Sequence, residues 1–94
     1  MTENDKLIKA AKAGDLDGVK KAIANGADIH ALDDYALRLA ANNGHLDVVK
    51  HLVEHDADIH AEDDCALRWA AEEGHLDVVK YLKSIGKNKK EIKN

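Results

Sequence analysis

A segment of 30 residues recurs along this chain, and that recurrence limits its fold more than any other feature of the sequence. Gly-Asp-Leu at 14–16 returns as Gly-His-Leu at 44–46 and at 74–76. Ala-Asp-Ile-His at 27–30 returns at 57–60, after the same interval. A fixed period of this length is typical of stacked copies of one supersecondary unit, because each copy buries its apolar face only against its neighbours. We therefore predict a repeat protein.

The repeat divides the 94 residues into the units of a single domain. Between residues 31–56 and 61–86, 16 of 26 aligned positions are identical. The end units of a stack need polar outer faces, and Lys9 and Lys83 stand where the middle unit has apolar residues. We predict, in chain order, an N-terminal cap unit at 1–30, a middle unit at 31–60, a C-terminal cap unit at 61–86 and a polar, lysine-rich, frayed tail at 87–94.

Each unit contains two short amphipathic helices. In the middle unit, Leu37 and Ala40 belong to one apolar helix face, which predicts a first helix at 34–43. A second apolar stripe predicts a helix at 46–54, and Gly44 separates the two because glycine accepts the left-handed backbone that ends a helix. Isolated helices shorter than roughly 12–15 residues are marginal in water. The helices must therefore gain their stability by stacking.

The run Ala-Ala-x-x-Gly-His-Leu-Asp-Val-Val-Lys-x-Leu at 40–52, with Ala-Asp-Ile-His-Ala at 57–61, resembles the ankyrin repeat. The resemblance extends over all three units and implies an all-α solenoid of three helix-turn-helix units with short loops. Ankyrin units usually span about 33 residues, which implies a shortened finger at 61–64. The usual Thr-Pro-Leu-His is replaced by Tyr-Ala-Leu-Arg at 35–38 and Cys-Ala-Leu-Arg at 65–68. The usual Thr–His hydrogen bonds are therefore absent.

Ankyrin relatives bind folded proteins on a concave surface of fingers and first helices, so the resemblance implies a protein-protein interaction module. We expect a monomer whose partner carries a basic patch, because carboxylates are frequent at the corresponding positions. The predicted partner-binding residues are Leu32, Asp34, Tyr35, Asn42, Asn43, Glu62, Asp64, Trp69, Glu72 and Glu73. An engineered or consensus repeat scaffold, serving as a stability or folding model without a biological partner, is the alternative. Nearly identical units fit both.

Charge and composition exclude several other classes. The formal charge is −4, and because residues 87–94 carry +3, the rest of the chain carries −7. An acidic body argues against nucleic acid, which needs a basic stripe. No apolar run approaches the roughly 20 residues of a membrane helix, and the start of the chain does not resemble a signal peptide. Cys65 is the only cysteine, so no intrachain disulfide can form. We expect a cytoplasmic protein without a membrane partner.

Metal binding and catalysis are the less favoured alternatives. His51 and His55 are four residues apart and would share one helix face, but two ligands leave a zinc site incomplete. Catalysis would need a nucleophile or a carboxylate pair in a pocket, whereas short stacked units form an open slab. Cys65 is a lone thiol without an identifiable base. We predict no enzyme, and neither a metal nor a cofactor.

Two arginines are predicted to have a structural role. Arg38 and Arg68 follow Asp34 and Asp64 by four residues, a spacing at which ion pairs form on a helix. We expect the arginines to lie between units and to bond the next finger, in place of the absent Thr–His network.

Histidine and tryptophan at repeated positions carry two further expectations. His30 and His60 occupy the place of the ankyrin loop Asn, so we expect them to bond the backbone of the next loop. Trp69 stands where the middle unit has a leucine. Packing between units and direct contact with a partner both remain open for Trp69, because tryptophan is enriched in binding hot spots.

Overall fold

Helices and short turns make up the chain. The fold is taken from a computed structural model, which describes residues 1–93 and the side chains of residues 1–86. The helices are α1 (Glu3–Ala13), α2 (Leu16–Ala24), α3 (Ala31–Asn42), α4 (Leu46–Glu54), α5 (Ala61–Glu72) and α6 (Leu76–Lys93). No strand occurs among residues 1–93, and the predicted all-α solenoid is confirmed. α6 includes residues 87–93 of the predicted polar tail. The side chains of 87–94 lie outside the description, and fraying of this tail stays a prediction.

The first helices of successive units pack much more closely than the second helices do. α3 contacts both α1 and α5 along its length, whereas α4 touches α2 and α6 at few positions. Ala40 and Ala70 are fully buried on α3 and α5, and their small side chains permit this close approach. The stack measures 40 × 29 × 21 Å. We call the side formed by α1, α3, α5 and the fingers the concave face.

The core follows the two apolar stripes of each unit. Leu37 on α3 and Leu52 on α4 are 0% exposed, and Val49 lies beside them in the same continuous cluster. Fully burying side chains of this size contributes about 1.5–3 kcal/mol each. Lys9 and Lys83, predicted to lie on polar end faces, are exposed.

The fingers differ from the predicted helix start. We define the first finger as residues 31–34 and the second finger as residues 61–64. Leu32, Asp33 and Asp34 have φ of 55°, 57° and 58°, which is left-handed backbone, and the second finger repeats this conformation. The right-handed part of α3 therefore begins after residue 34. Left-handed backbone costs a residue with a side chain roughly 1–2 kcal/mol, so other contacts must hold each finger.

The left-handed backbone of the first finger gives a prediction of unusual sign. Leu32→Gly should stabilise the protein by about 0.5–1 kcal/mol. Glycine adopts left-handed backbone without strain, and the strain that is relieved exceeds the larger chain entropy that glycine loses on folding. Leu32 is 69% exposed, so little packing is lost. Urea denaturation measures the change. Lys20→Gly, in the exposed middle of right-handed α2, should instead lose about 1 kcal/mol. A loss of stability in Leu32→Gly would contradict the left-handed finger.

Candidate functional site

The concave face presents most of the predicted partner-binding residues to solvent, but not all of them. The exposed members are Leu32, Asn43, Glu62, Glu72 and Glu73, and the half-buried members are Tyr35, Asn42, Asp64 and Trp69. Asp34 is 4% exposed. The expectation that Asp34 lies on the binding surface is therefore wrong. The left-handed finger turns this carboxylate under the following loop.

Asp34 joins the two fingers at their bases. Its carboxylate lies 3.0 and 3.1 Å from Nδ1 of His30, and it accepts the backbone N–H of Asp58 at 2.7 Å. The expectation that His30 bonds the next loop is therefore wrong, because Asp34 makes that bond and His30 holds Asp34. In the first unit, Asn4 accepts the N–H of Asp28 at 2.6 Å in the equivalent place.

The acidic surroundings of His30 favour its charged form. The hydrogen bond to Asp34 and the charge of that carboxylate raise the pKa of His30 above its ordinary value. The charges of Asp28 and Asp58 act in the same direction, whereas partial burial opposes them. His60 and Asp64 form the same side-chain pair in the last unit, where the Asp64 side chain is 50% exposed.

Arg38 braces its own finger. Its Nε donates to the Asp33 carbonyl oxygen at 3.0 Å, and its second guanidinium N–H group donates to the Leu32 carbonyl oxygen at 2.8 Å. The expectation that Arg38 bonds the next finger and pairs with Asp34 is wrong. The guanidinium fork therefore matches two carbonyl oxygens of the left-handed turn.

Arg38 also connects the middle unit to the last one. Its guanidinium carbon lies 5.1 Å from the ring centre of Tyr35 and 5.6 Å from that of Trp69. One terminal N–H group lies 4.0 Å from the Cys65 sulfur. Arg68 makes the same bonds to its own finger, at 3.0 Å to the carbonyl oxygens of residues 62 and 63. Trp69 is therefore half-buried against Arg38, and part of its ring stays accessible.

The space between the two fingers is acidic, whereas the second helices carry both signs of charge, as at Asp47, Lys50 and Glu54. A recess of about 650 Å³ opens between the two fingers and is lined by His30, Asp33, Asp34, Asp58, His60, Ala61, Glu62 and Asp63. Neither lysine nor arginine is among these lining residues. Lys50 and Lys80 are exposed on the second helices, and the Lys50 ammonium lies 5.6 Å from the ring centre of Tyr81.

Metal ligands do not gather in the part of the chain that the structure describes, where no group of three or more His, Cys, Asp or Glu side chains could hold an ion. The His51 and His55 rings lie 4.2 Å apart between centres. Burial and the neighbouring His55 lower the pKa of His51. The Cys65 thiol is 3% exposed.

His45 and His75 have an inter-unit role that the sequence reasoning missed. Nε2 of His45 donates to the Lys12 carbonyl oxygen at 3.0 Å, and Nε2 of His75 donates to the Asn42 carbonyl oxygen at 3.0 Å. Asn43, predicted to bind a partner, also donates to the Lys12 carbonyl oxygen, at 3.0 Å. The Gly-His pair that recurs after 30 residues could have predicted this role, because residues at equivalent positions of stacked units contact equivalent residues of the neighbouring unit.

Comparison with known proteins supplies the family. None of the described helices combines the length and apolarity that a membrane crossing requires. A comparison with curated proteins found no match. The sequence matches the family of ankyrin repeats (3 copies) over residues 7–93. That range contains most of α1, the whole of α2 to α6, the Gly-His contacts and both fingers, and the chain therefore belongs to the ankyrin repeat family.

Proposed function

We propose that this protein binds another protein through the concave face of its middle and last units. Ankyrin repeats are generally protein-protein interaction modules, and their fold is not an enzymatic one. The observation that carries the proposal is the acidic recess between the fingers, which neither lysine nor arginine lines. A partner with a basic patch fits this face. We propose that the chain acts as a monomer, without catalytic activity.

Electrostatics and packing have different parts in this proposal. Carboxylates at the rim of an interface mainly raise the association rate, and salt screens them over a Debye length of about 8–10 Å. Most binding free energy comes from a few central aromatic or arginine residues. Tyr35 and Trp69 are half-buried around Arg38, so they are already held in place and lose little side-chain entropy on binding.

The single thiol supports a proposal for the location of the protein. Cys65 is the only cysteine, and a free thiol without disulfides suits a reducing compartment. We propose that the protein works in the cytoplasm, where its partner is to be sought.

The proposal predicts how charge reversal changes partner capture. Glu72→Lys/Glu73→Lys should lower capture of the partner from a cell lysate by roughly tenfold at low salt, and by less at high salt, because two rim attractions become repulsions. Quantitative mass spectrometry measures the enrichment of each captured protein relative to the unmodified chain. Lys50→Glu/Lys80→Glu, on the second helices, should leave the specific partner bound.

A matched control distinguishes the effect of the concave face on binding from the effect of net charge. Asp17→Lys/Glu54→Lys changes the formal charge by the same amount as the concave variant, but at exposed positions of α2 and α4. If this variant loses the partner as strongly as Glu72→Lys/Glu73→Lys, binding depends on net charge and the assigned face is wrong. Enrichment of no protein above a bead control would favour a repeat scaffold without a partner.

A further inference from the structure

A chain of contacts between the fingers includes one titratable side chain. Nδ1 of His30 lies within 3.1 Å of both Asp34 oxygens, and Asp34 Oδ2 accepts the Asp58 N–H at 2.7 Å. The His30 side chain is 53% exposed, whereas that of Asp34 is 6% exposed. Solvent can therefore exchange the proton of His30, while the carboxylate that senses it is buried between the fingers.

The groups that face His30 are almost all acidic. Asp28 comes from its own loop, Asp34 from the start of α3 and Asp58 from the loop after α4. The recess beside it is lined by Asp33, Asp34, Asp58, His60, Glu62 and Asp63, together with Ala61. Arg38, the arginine of the same unit, donates to backbone carbonyl groups and not to Asp34. Protonated His30 is thus the cation that balances the buried Asp34.

The first unit makes the same backbone contact without a charge. Asn4 Oδ1 accepts the Asp28 N–H at 2.6 Å, and residues 4 and 28 are the equivalents of residues 34 and 58. A neutral amide therefore satisfies this geometry. A carboxylate at 34 with a histidine at 30 adds a dependence on protons that the first unit lacks.

We propose that His30 and Asp34 form a proton-operated latch, which ties the base of the second finger to the first finger when His30 is protonated. Asp34 then holds the Asp58 N–H from a fixed position. Loss of the proton removes the charge attraction and leaves at most a neutral Nδ1–H bond, which holds Asp34 more weakly and lets its carboxylate turn or take up water. The latch acts on the fingers that line the acidic recess, but it stands whether or not the recess binds a partner.

The sign of the pH dependence follows from the direction of the pKa shift. The folded-state pKa of His30 lies above its unfolded value of about 6.5. Its contribution to stability is fully present below pH 6.5 and is lost as the pH rises through the folded-state pKa. His51 acts oppositely, since its folded-state pKa is lowered and its contribution is lost as the pH falls below about 6.5. Variants are therefore needed to isolate the latch.

The first test measures the proton directly. Titration of the histidine imidazole resonances by NMR between about pH 5 and 9, in the full chain, should place the pKa of His30 above the ordinary value of about 6.5. Asp34→Asn should return it toward that value, whereas Asp64→Asn should not. The asparagine at 34 copies Asn4 and so preserves the backbone contact. A His30 that titrates at or below about 6.5, or that ignores Asp34→Asn, overturns the proposal.

The second test measures the finger. Hydrogen exchange at the Asp58 amide should lose protection as the pH is raised from about 6 to 8.5, after correction for intrinsic exchange rates, because the latch opens through the folded-state pKa of His30. The Asp28 amide, held by neutral Asn4, is the internal control and should not follow. In His30→Gln the Asp58 protection should be low and independent of pH. Equal pH profiles for Asp58 and Asp28 in the unmodified chain would overturn the latch.

Discussion

Gly44→Ala should lower the free energy of unfolding by about 3 kcal/mol, because alanine meets two separate obstacles at this position. The first obstacle is the backbone. Gly44 has φ of 75°, and a left-handed residue with a Cβ costs roughly 1–2 kcal/mol. The second obstacle is the next unit, since the ideal Cβ would lie 2.6 Å from Nδ1 of His75.

The clash with His75 removes a contact between units. The His75 ring must move, and its donation to the Asn42 carbonyl oxygen at 3.0 Å would be broken or lengthened. Losing a hydrogen bond of this kind costs about 1 kcal/mol. In a short stack, the interface between neighbouring units supplies much of the stability. The cooperativity of unfolding should therefore fall together with the stability.

Gly74→Ala is the matched control. Gly74 has φ of 76°, so its backbone obstacle equals that of Gly44, but nothing lies within 4 Å of its ideal Cβ. Gly74→Ala should lose only about 1–2 kcal/mol. Gly14→Ala, whose Cβ would lie 2.6 Å from His45, should behave like Gly44→Ala. Urea denaturation of the three variants checks this order, and equal losses at Gly44 and Gly74 would show that the histidine does not brace the units.

The helices could be predicted from the sequence because their signal is local. The apolar stripe and the bounding Gly44 gave the second helix at 46–54, and α4 spans Leu46–Glu54. The 30-residue interval then extended this result to the other units. Periodicity reports which side chains share a face, and stacking requires those faces to meet. Fold class therefore needed no knowledge of individual contacts.

The finger contacts could not be predicted, because they depend on left-handed backbone angles that the residue types in the finger do not indicate. Glycine usually marks left-handed backbone, yet the first finger contains Leu32, Asp33 and Asp34. A right-handed start would have left Asp34 on the surface and within reach of Arg38. The left-handed turn instead buries Asp34 beside His30. Asp34 therefore pairs with His30, and Arg38 bonds the Asp33 carbonyl oxygen in place of Asp34. The binding role of the concave face stays a prediction, and the left-handed turn removes only Asp34 from the residues assigned to it.

Arg38 offers the test of what holds that turn. Arg38→Ala should lower the free energy of unfolding by about 2–3 kcal/mol, because it removes two bonds to carbonyl groups of a left-handed turn and the packing of a half-buried stem. The bonds span 3.0 and 2.8 Å, to Asp33 and Leu32. Contact with the Trp69 ring is lost as well.

Arg68 makes the same two bonds at 3.0 Å in the second finger, but it is exposed. Arg68→Ala should therefore lose only about 1 kcal/mol, which represents the finger bonds with little packing. Arg38→Lys tests whether the two guanidinium donors are needed together. One ammonium group cannot replace both donors, so most of the stability lost in Arg38→Ala should also be lost in Arg38→Lys. Chemical denaturation, followed by Trp69 fluorescence and by far-ultraviolet circular dichroism, gives all three values.

A double-mutant cycle decides whether the arginine offsets the backbone cost of the finger. Without Arg38 the unmodified finger can relax from its left-handed backbone, which limits the loss of stability. Leu32→Gly has less strain to release, so Arg38→Ala should lose more stability in the Leu32→Gly chain than in the unmodified chain, by about 0.5–1 kcal/mol. Lys20→Gly, in α2 and away from the finger, should give no coupling with Arg38→Ala. Additive losses for Leu32→Gly and Arg38→Ala would show that the first finger keeps its left-handed backbone without Arg38. The left-handed fingers would then be held by the Asp34 contact and the bases of the loops.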